Sequence, residues 1–141
     1  MIFSLDQSII IVIHQTDLTL TSYIKNQLAP FNLAPEQTLI MMVLWEKDGF
    51  TQIEIAEKLL KDKTNIARMA LNLEQKGFIR RISPENDRRS LLVYLTEEGK
   101  QLRHEIISMA EKINDLIIKG ISDDELNEMK RILSKICSNS K

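Results

Sequence analysis

The sequence predicts a mainly α-helical protein with a small β-hairpin. Its 141 residues include only three prolines and four glycines, the two residue types that most often interrupt regular structure. Hydrophobic residues make up 43% of the chain, and in most segments they recur at the three- and four-residue spacing of amphipathic helices. The exceptions are residues 78–82 and 91–95, two short stretches of β-branched and aromatic character that flank a polar turn and predict strands.

The first predicted helix runs from about Leu5 to Ala29, with apolar residues near helical spacing. The run Ile9–Ile13 makes its first half apolar on every side, and a helix of that kind must be buried on every side. A chain this small can hardly bury such a helix alone at its N-terminus, so we favour a subunit interface. A central core helix and a locally extended segment are the alternatives.

The second predicted helix starts at Pro35, because proline suits the first turn of a helix, and it runs to about Glu46. The turn pair Asp48-Gly49 ends it. Its predicted buried residues are Leu39, Met42, Val43 and, as a further candidate, Trp45.

Two further helices follow as a closely linked pair. Thr51 and Glu54 form a capping-box pattern that starts the first, and Asp62 caps the second. The predicted inward positions are Ile53, Ala56, Leu59 and Leu60 in the first, and Ile66, Met69, Ala70 and Leu73 in the second. The outward stripe of the second contains no acid and consists of Lys61, Asn65, Arg68, Asn72 and Gln75. Amides and guanidinium groups can read base edges, so the pair indicates a helix-turn-helix.

A hairpin directly follows this helix pair. Gly77 ends the second helix, and the two predicted strands enclose the loop Ser83–Ser90, whose first half consists of turn-forming residues. Arg88 and Arg89 come next, and adjacent arginines suit a narrow minor groove, where the negative potential is deepest. A hairpin in this position is a wing, so the sequence predicts a winged helix-turn-helix domain.

Two helices close the chain. Thr96 caps the first, which is predicted to run to about Lys119, and Ser122 and Glu125 form a second capping box that starts the last. The first has a predicted apolar stripe of Leu102, Ile106, Met109, Ile113 and Leu116. The last is predicted to bury Leu126, Met129, Leu133 and Ile136. Both helices lie beyond the winged lobe. We therefore expect one domain over residues 1–141, with dimerisation helices at 1–30 and 100–141 flanking the lobe at 35–99.

The charge of the chain is segregated, although its net value is only −1. Residues 58–89 hold nine basic and four acidic side chains, a net of +5, and the remainder holds ten basic and sixteen acidic ones, a net of −6. An acidic body with a basic patch is the electrostatic footprint of a nucleic-acid-binding protein. Ordinary charge clustering on a solvated face is the alternative, and charge alone does not decide between the two.

Other protein classes are disfavoured. The apolar run near the N-terminus is too short to span a bilayer and lacks a cationic flank, so we expect a cytoplasmic protein with no membrane partner. Cys137 is the single cysteine, which excludes an intrachain disulfide. His14 and His104 stand alone on helical patterns, and the sequence contains no Gly-rich phosphate loop and no nucleophile motif. We therefore predict no metal, no cofactor and no enzymatic activity.

The stretch DRRSLLVYLTEEG, from Asp87 to Gly99, resembles the wing of the MarR family of bacterial transcription regulators. It matches that family's pattern of aspartate, any residue and arginine, then a strand that ends Leu-Thr and a glycine three positions after the threonine. LNLEQKGFIRR, from Leu71 to Arg81, is similar to the end of the family's recognition helix and its first wing strand. The order of helices resembles the family over essentially the whole chain.

This resemblance implies a homodimer, joined through its first and last helices, that binds double-stranded DNA. Recognition helix 62–76 of each copy would enter one of two successive major grooves, and the wing at 78–95 would place Arg89 in the flanking minor groove, oriented by Asp87. Lys63, Thr64, Asn65 and Arg68 fall on the family's major-groove positions. The helix N-terminal amides at Thr51 and Gln52 are further candidates, for holding a phosphate. The expected DNA-binding residues are Thr51, Gln52, Lys61, Lys63, Thr64, Asn65, Arg68, Arg81, Asp87, Arg88 and Arg89. Ala67 and Asn65 replace residues that often carry hydroxyl groups in the family, which leaves the operator sequence open.

The function expected from the resemblance is a ligand-responsive repressor that binds a pseudo-palindromic operator. A small-molecule effector would change the spacing of the two lobes, but the sequence assigns no residues to it. A winged-helix module that binds proteins without specific DNA binding is the alternative. Some family members sense peroxide through a cysteine near the start of the chain, whereas Cys137 is near the end and is interpreted as a buried, inert interface thiol.

Overall fold

The computed structural model describes residues 4–84 and 90–141, which form two compact units, Met1–Leu102 and Arg103–Lys141. Helices dominate both units, and a small antiparallel sheet lies in the first, which confirms the predicted fold class. The first unit contains α1 (Ile9–Leu28), α2 (Pro35–Glu46), β1 (Phe50–Thr51), α3 (Gln52–Leu59), α4 (Lys63–Gln75), β2 (Ile79–Ile82), β3 (Leu92–Leu95) and α5 (Glu97–Gln101). The second contains α6 (Arg103–Ile117) and α7 (Asp123–Asn139). None of the described helices is long and apolar enough to cross a membrane.

The sheet contains the predicted hairpin and one strand that was not predicted. Strands β2 and β3 pair in antiparallel register from Ile79 opposite Leu95 to Ile82 opposite Leu92. The two residues of β1 pair with the other edge of β3, which gives the order β1-β3-β2. Strand β1 is too short to show a two-residue periodicity, so the sequence pattern did not reveal it. It joins the start of the helix pair to Leu92 and Val93, at the end of β3 that is nearer the wing loop.

The buried face of α2 differs from the prediction. Ile40, Met41, Leu44 and Trp45 are at most 6% exposed, whereas Leu39, which was predicted to be buried, is 39% exposed. Met42 and Val43 are only partly buried. Every residue from 39 to 45 is apolar, so hydrophobic spacing could not determine which side of this helix faces the core.

The end of α3 also corrects the prediction. Leu60 was expected to face inward but is 92% exposed, and Ile53 is 36% exposed. The buried residues of α3 are Ile55 and Ala56. Leu60 adopts the left-handed conformation, with φ of 54°, because it forms the C-cap of α3 at the tight link to α4. The reversal of the chain there turns the side chain of Leu60 away from the core.

A close contact joins the end of the hairpin to α2. Thr96 caps α5 by accepting a hydrogen bond from the Gly99 backbone N–H at 3.1 Å, and its own hydroxyl donates to the Gly77 carbonyl at 2.6 Å. The indole N–H of the buried Trp45 donates to the Gly99 carbonyl at 2.9 Å. A Cβ atom on Gly99 would collide with the Phe78 carbonyl oxygen. Gly99 is therefore the residue that allows these segments to meet.

The single helix predicted from Thr96 to about Lys119 is interrupted. Helix α5 ends at Gln101, Leu102 forms a turn with φ of −71° and ψ of −21°, and α6 begins at Arg103. These angles stay close to helical values, so the spacing of the apolar residues continues through the break and could not reveal it. The capping box of Ser122 and Glu125 at the start of α7 is confirmed, with two reciprocal hydrogen bonds of 3.0 and 3.1 Å.

Helices α1 and α7 expose much of their apolar surface. The predicted burial of Met129 and Leu133 is wrong for the single chain, where they are 48% and 40% exposed. Helix α1 is helical throughout and is not a core helix, which eliminates both alternatives for its apolar first half. The exposed large apolar residues of the two helices are Ile9, Ile10, Val12, Ile13, Leu18 and Tyr23, then Met129, Ile132 and Leu133. Exposed apolar rows of this size indicate an interaction surface.

Candidate nucleic-acid interface

The buried and exposed faces of α4 are those predicted. Ile66, Met69, Ala70 and Leu73 are at most 5% exposed and anchor the helix to the core. The Asp62 carboxylate caps the helix by accepting a hydrogen bond from the Asn65 backbone N–H at 2.8 Å. The opposite face carries no acidic side chain. Helix α4 is therefore held from one side and presents a polar, cationic side to the solvent.

The first two turns of α4 carry the densest group of polar side chains on this face. Lys63, Thr64 and Arg68 are exposed, and Asn65 is partly exposed. The Arg68 guanidinium donates to the Asn65 Oδ1 atom at 2.7 Å, so each side chain restricts the rotamers of the other. Within the described residues, the other N–H groups of Arg68 and the side-chain NH₂ group of Asn65 have no hydrogen-bond partner. Arginine and asparagine side chains are the ones that bind guanine and adenine edges in a major groove.

 The polar groups of Thr51 and Gln52 at the start of α3 form hydrogen bonds inside the protein. The Thr51 hydroxyl accepts from the Glu54 backbone N–H at 3.1 Å, and the Thr51 N–H donates to the Glu54 Oε1 atom at 3.0 Å, as the capping-box pattern predicted. The Gln52 N–H donates to the Leu91 carbonyl at 3.1 Å. Both backbone amides that were expected to hold a phosphate therefore already have partners within the chain.

The same capping box holds Glu54 in its charged form. The hydrogen bond from the Thr51 backbone N–H lowers the pKa of Glu54 most, followed by the contact with the Thr51 side chain and the charges of Lys47 and Lys58. The ammonium groups of both lysines lie over the Phe50 ring, 5.3 and 5.2 Å from its centroid. These two lysines were not predicted as site residues.

Arg81 connects the wing to both helices of the helix-turn-helix. Its backbone N–H donates to the Glu74 Oε2 atom at 3.0 Å, and its Nη2 and Nε atoms donate to the Glu74 Oε1 atom at 3.1 and 3.3 Å. Its Nη1 atom donates to the Gln52 Oε1 atom at 3.2 Å. Burial alone would raise the pKa of Glu74, but the hydrogen bonds and the charge of Arg81 lower it below the ordinary value. Two predicted site residues, Arg81 and Gln52, therefore contact each other.

Lys61 also has a partner within the chain. Its ammonium group lies 2.9 Å from the Glu36 carboxylate at the start of α2, and the two side chains are 29% and 51% exposed. At the other end of α4, the Lys76 ammonium donates to the Asn32 carbonyl at 2.9 Å and to the Gln37 Oε1 atom at 2.8 Å. Sequence reasoning missed Lys76, Glu74 and Glu36, since their partners lie far along the chain or across a turn and leave no local pattern.

The tip of the wing lies outside the described residues. Asp87, Arg88 and Arg89 belong to this part of the chain, so their predicted roles in the minor groove stay predictions. The strands on either side, β2 and β3, bring residues 82 and 92 together at the described end of the hairpin. Among residues 4–84 and 90–141, no group of three or more His, Cys, Asp or Glu side chains could hold a metal ion. Cys137 is exposed in the single chain, so its predicted burial at an interface stays a prediction.

The fold and these residues were compared with known proteins. A family model described as the MarR family matches residues 33–91. The organic hydroperoxide resistance transcriptional regulator of Bacillus subtilis (strain 168) is 28% identical over 129 residues, which cover 92% of this chain and 86% of that protein. The HTH-type transcriptional regulator MgrA of Staphylococcus aureus is 26% identical over 106 residues, which cover 75% of this chain and 71% of that protein.

A solved structure is also similar to this chain over most of its length. A MarR family transcriptional regulator from Listeria monocytogenes, in complex with a 26mer DNA, is 28% identical to this chain with a TM-score of 0.80. The match covers 94% of this chain and 89% of that one. The similarity therefore extends over the winged lobe and over the helices on both sides of it.

Proposed function

Because the chain belongs to the MarR family of DNA-binding transcription regulators, we propose that it is a cytoplasmic, homodimeric repressor and not an enzyme. It binds a pseudo-palindromic operator through recognition helix 62–76 and wing 78–95, and a small-molecule effector releases it. The observation that carries the proposal is the exposed face of α4, which is cationic and free of acidic side chains at the position where a helix-turn-helix reads bases.

The proposed DNA contacts divide into three groups. Lys63, Thr64, Asn65 and Arg68 enter the major groove, because they stand together on the exposed first turns of α4. Arg88 and Arg89 reach the minor groove, with Asp87 orienting Arg89, and Thr51 approaches the phosphate backbone at the start of α3. The bonds of Gln52 and Arg81 to partners within the chain support a role in holding the wing against the two helices.

The homodimer is supported by the exposed apolar surface of each unit. In the first unit, Ile9 and Ile10 of α1 are 57% and 72% exposed. In the second unit, Met129 and Leu133 of α7 are 48% and 40% exposed. A monomer rarely leaves such rows uncovered. A second copy of the chain covers both rows, and two-fold symmetry then presents two recognition helices to half-sites about one helical turn, roughly 34 Å, apart.

The relative solved with DNA supports this arrangement. A 26mer DNA, as a duplex, spans about two and a half helical turns, which is room for two half-sites one turn apart. The rival function, a winged helix that binds proteins without specific DNA binding, does not require an acid-free stripe on α4 or paired arginines in the wing.

A salt-dependent shift assay with the DNA upstream of the chain's own coding sequence tests the proposal. Lysine and arginine contacts to phosphates release counterions, so the affinity should fall steeply as salt rises, with a slope of about −0.9 per phosphate contacted. A folded dimer that shifts no duplex at low salt would exclude the regulator and favour the protein-binding module.

Arg89→Ala should weaken operator binding markedly while the dimer stays folded. The expected loss is about 1–3 kcal/mol, because the proposed arginine occupies the groove where the negative potential is deepest. Fluorescence anisotropy measures the affinity, and size-exclusion chromatography measures the dimer. Arg131→Ala is the matched control, since Arg131 lies in α7 and pairs with Glu128 on the exposed surface of the second unit. An unchanged affinity for Arg89→Ala would remove that arginine from the interface.

A further inference from the structure

The first turn of α2 contacts both ends of the recognition helix. Glu36 and Gln37 are neighbours in sequence, yet Glu36 binds Lys61, two residues before α4, and Gln37 binds Lys76, immediately after it. The 13 residues of α4 span about 20 Å at the helical rise of 1.5 Å per residue. Two adjacent residues can reach across that length only because both lysine side chains extend toward them.

The contact at the C-terminal end of α4 is the more buried of the two. Gln37 is 7% exposed, and its Oε1 atom also accepts a hydrogen bond from the Ala34 backbone N–H at 3.2 Å. The Lys76 ammonium adds a second bond to the Asn32 carbonyl, in a residue held in the left-handed conformation with φ of 58°. Charge-assisted bonds to acceptors in such a site are stronger than an exposed ion pair.

The contact at the N-terminal end of α4 is weaker, but it attaches that end to the first turn of α2 as well. Glu36 is half exposed, so the Lys61–Glu36 pair is worth little on its own. Its effect is geometric, because it fixes the link between α3 and α4 while Lys76 fixes the opposite end. The connector 29–34 follows α1 directly, so the same contacts join α4 to the end of α1.

We propose that Lys76 and Lys61 are positioning residues that clamp the recognition helix to the first turn of α2 and do not contact DNA. The inference rests on the proposed function, since it concerns how the same helix reads bases. Base reading requires side chains held within about 0.5 Å of their productive positions, whereas phosphate attraction tolerates displacement. The clamp therefore affects the affinity for operator DNA and leaves the affinity for unrelated DNA unchanged.

Lys76→Met tests the clamp on the full-length dimer. We expect its affinity for operator DNA to fall roughly tenfold, on the order of the loss of one hydrogen bond to a charged group. Its affinity for a scrambled duplex of the same length and the slope of log affinity against log salt should both stay at the wild-type values. Lys76→Arg should restore operator binding, because a guanidinium can donate to the same two carbonyl oxygens.

Lys63→Met is the matched control. Lys63 is exposed at the start of α4 and has no hydrogen bond or ion pair in the described part of the chain. Because the proposed dimer carries two copies of Lys63 as direct DNA contacts, the variant should lose affinity for both duplexes, and the magnitude of the salt slope should fall by about 0.9 per copy, or about 1.8 per dimer.

Glu36→Gln distinguishes the proposed clamp from a purely electrostatic effect of Glu36 on the affinity for DNA. Removing a negative charge beside the interface would strengthen DNA binding if Glu36 acted only through its charge. The clamp predicts the reverse, a weaker affinity for operator DNA with no change on the scrambled duplex. Thermal unfolding of each variant, with the active fraction measured by stoichiometric titration, shows that the change does not come from loss of folded protein.

Three results would overturn the clamp: wild-type operator affinity for Lys76→Met, a shallower salt slope for Lys76→Met, or tighter operator binding for Glu36→Gln. Failure of the proposed function looks different, because the wild-type chain itself would then show no difference between operator and scrambled DNA.

Discussion

Arg68→Ala is expected to weaken operator binding by about 1–3 kcal/mol, or about five- to 150-fold in the dissociation constant. Arg68 is exposed on the second turn of α4, and its hydrogen bond to Asn65 restricts both side chains before DNA arrives. Losing the guanidinium removes the donors of one base contact and frees the Asn65 side chain to rotate. The affinity for a scrambled duplex should fall much less. Fluorescence anisotropy with both duplexes at one salt concentration measures the two effects.

Arg103→Ala provides the matched control for Arg68→Ala, because Arg103 is exposed at the start of α6 in the second unit. It should leave both affinities at the wild-type values. An equal loss on operator and scrambled DNA for Arg68→Ala would mean that Arg68 contacts only phosphates. Wild-type affinity for both duplexes would remove it from the interface.

Gly99→Ala is expected to destabilise the fold by about 3 kcal/mol or more. The added methyl group would collide with the Phe78 carbonyl oxygen, which is backbone and cannot move as a flexible side chain does. Relief of the collision requires α5 to shift away from the end of the wing, and that shift also strains the bond from Trp45 to the Gly99 carbonyl. Urea unfolding followed by tryptophan fluorescence measures the loss, because Trp45 is the only tryptophan in the chain.

Gly120→Ala is the matched control for the collision. Gly120 has a positive φ of 80°, but an added Cβ would meet no atom of the described residues within 4 Å. The expected cost is only the strain of the left-handed backbone, about 1–2 kcal/mol. Equal losses for the two variants would show that steric contact with Phe78 is not what requires glycine at position 99.

Features set by neighbouring residues could be predicted from the sequence. The capping boxes at Thr51 and Ser122 depend only on a side chain and the backbone three residues later, so the sequence pattern contains the whole interaction. The buried stripe of α4 could also be predicted, because polar and apolar residues alternate clearly around that helix. The face of α2 could not, since every residue from 39 to 45 is apolar.

Features set by distant residues could not be predicted. Lys61 and Arg81 look like free cations in the sequence, but Glu36 lies 25 residues from Lys61, and Gln52 lies 29 residues from Arg81. The glycine in the wing motif is a related case. The motif places Gly99 three residues after Thr96. Only the fold shows why glycine is required there, because the Phe78 backbone approaches Gly99 too closely for a Cβ atom. The sequence could therefore predict the helices and strands of the proposed interface, but not which of the cations there have partners within the chain.

Footprinting with hydroxyl radicals on the upstream DNA, combined with the stoichiometry of the complex, tests the central claim most directly. The claim is that two copies of the chain present two copies of α4 to one operator. We predict two chains per duplex and two protected segments whose centres lie about 34 Å, or about ten base pairs, apart along an inverted repeat. One chain per duplex, or protection without two related segments, would contradict the claim.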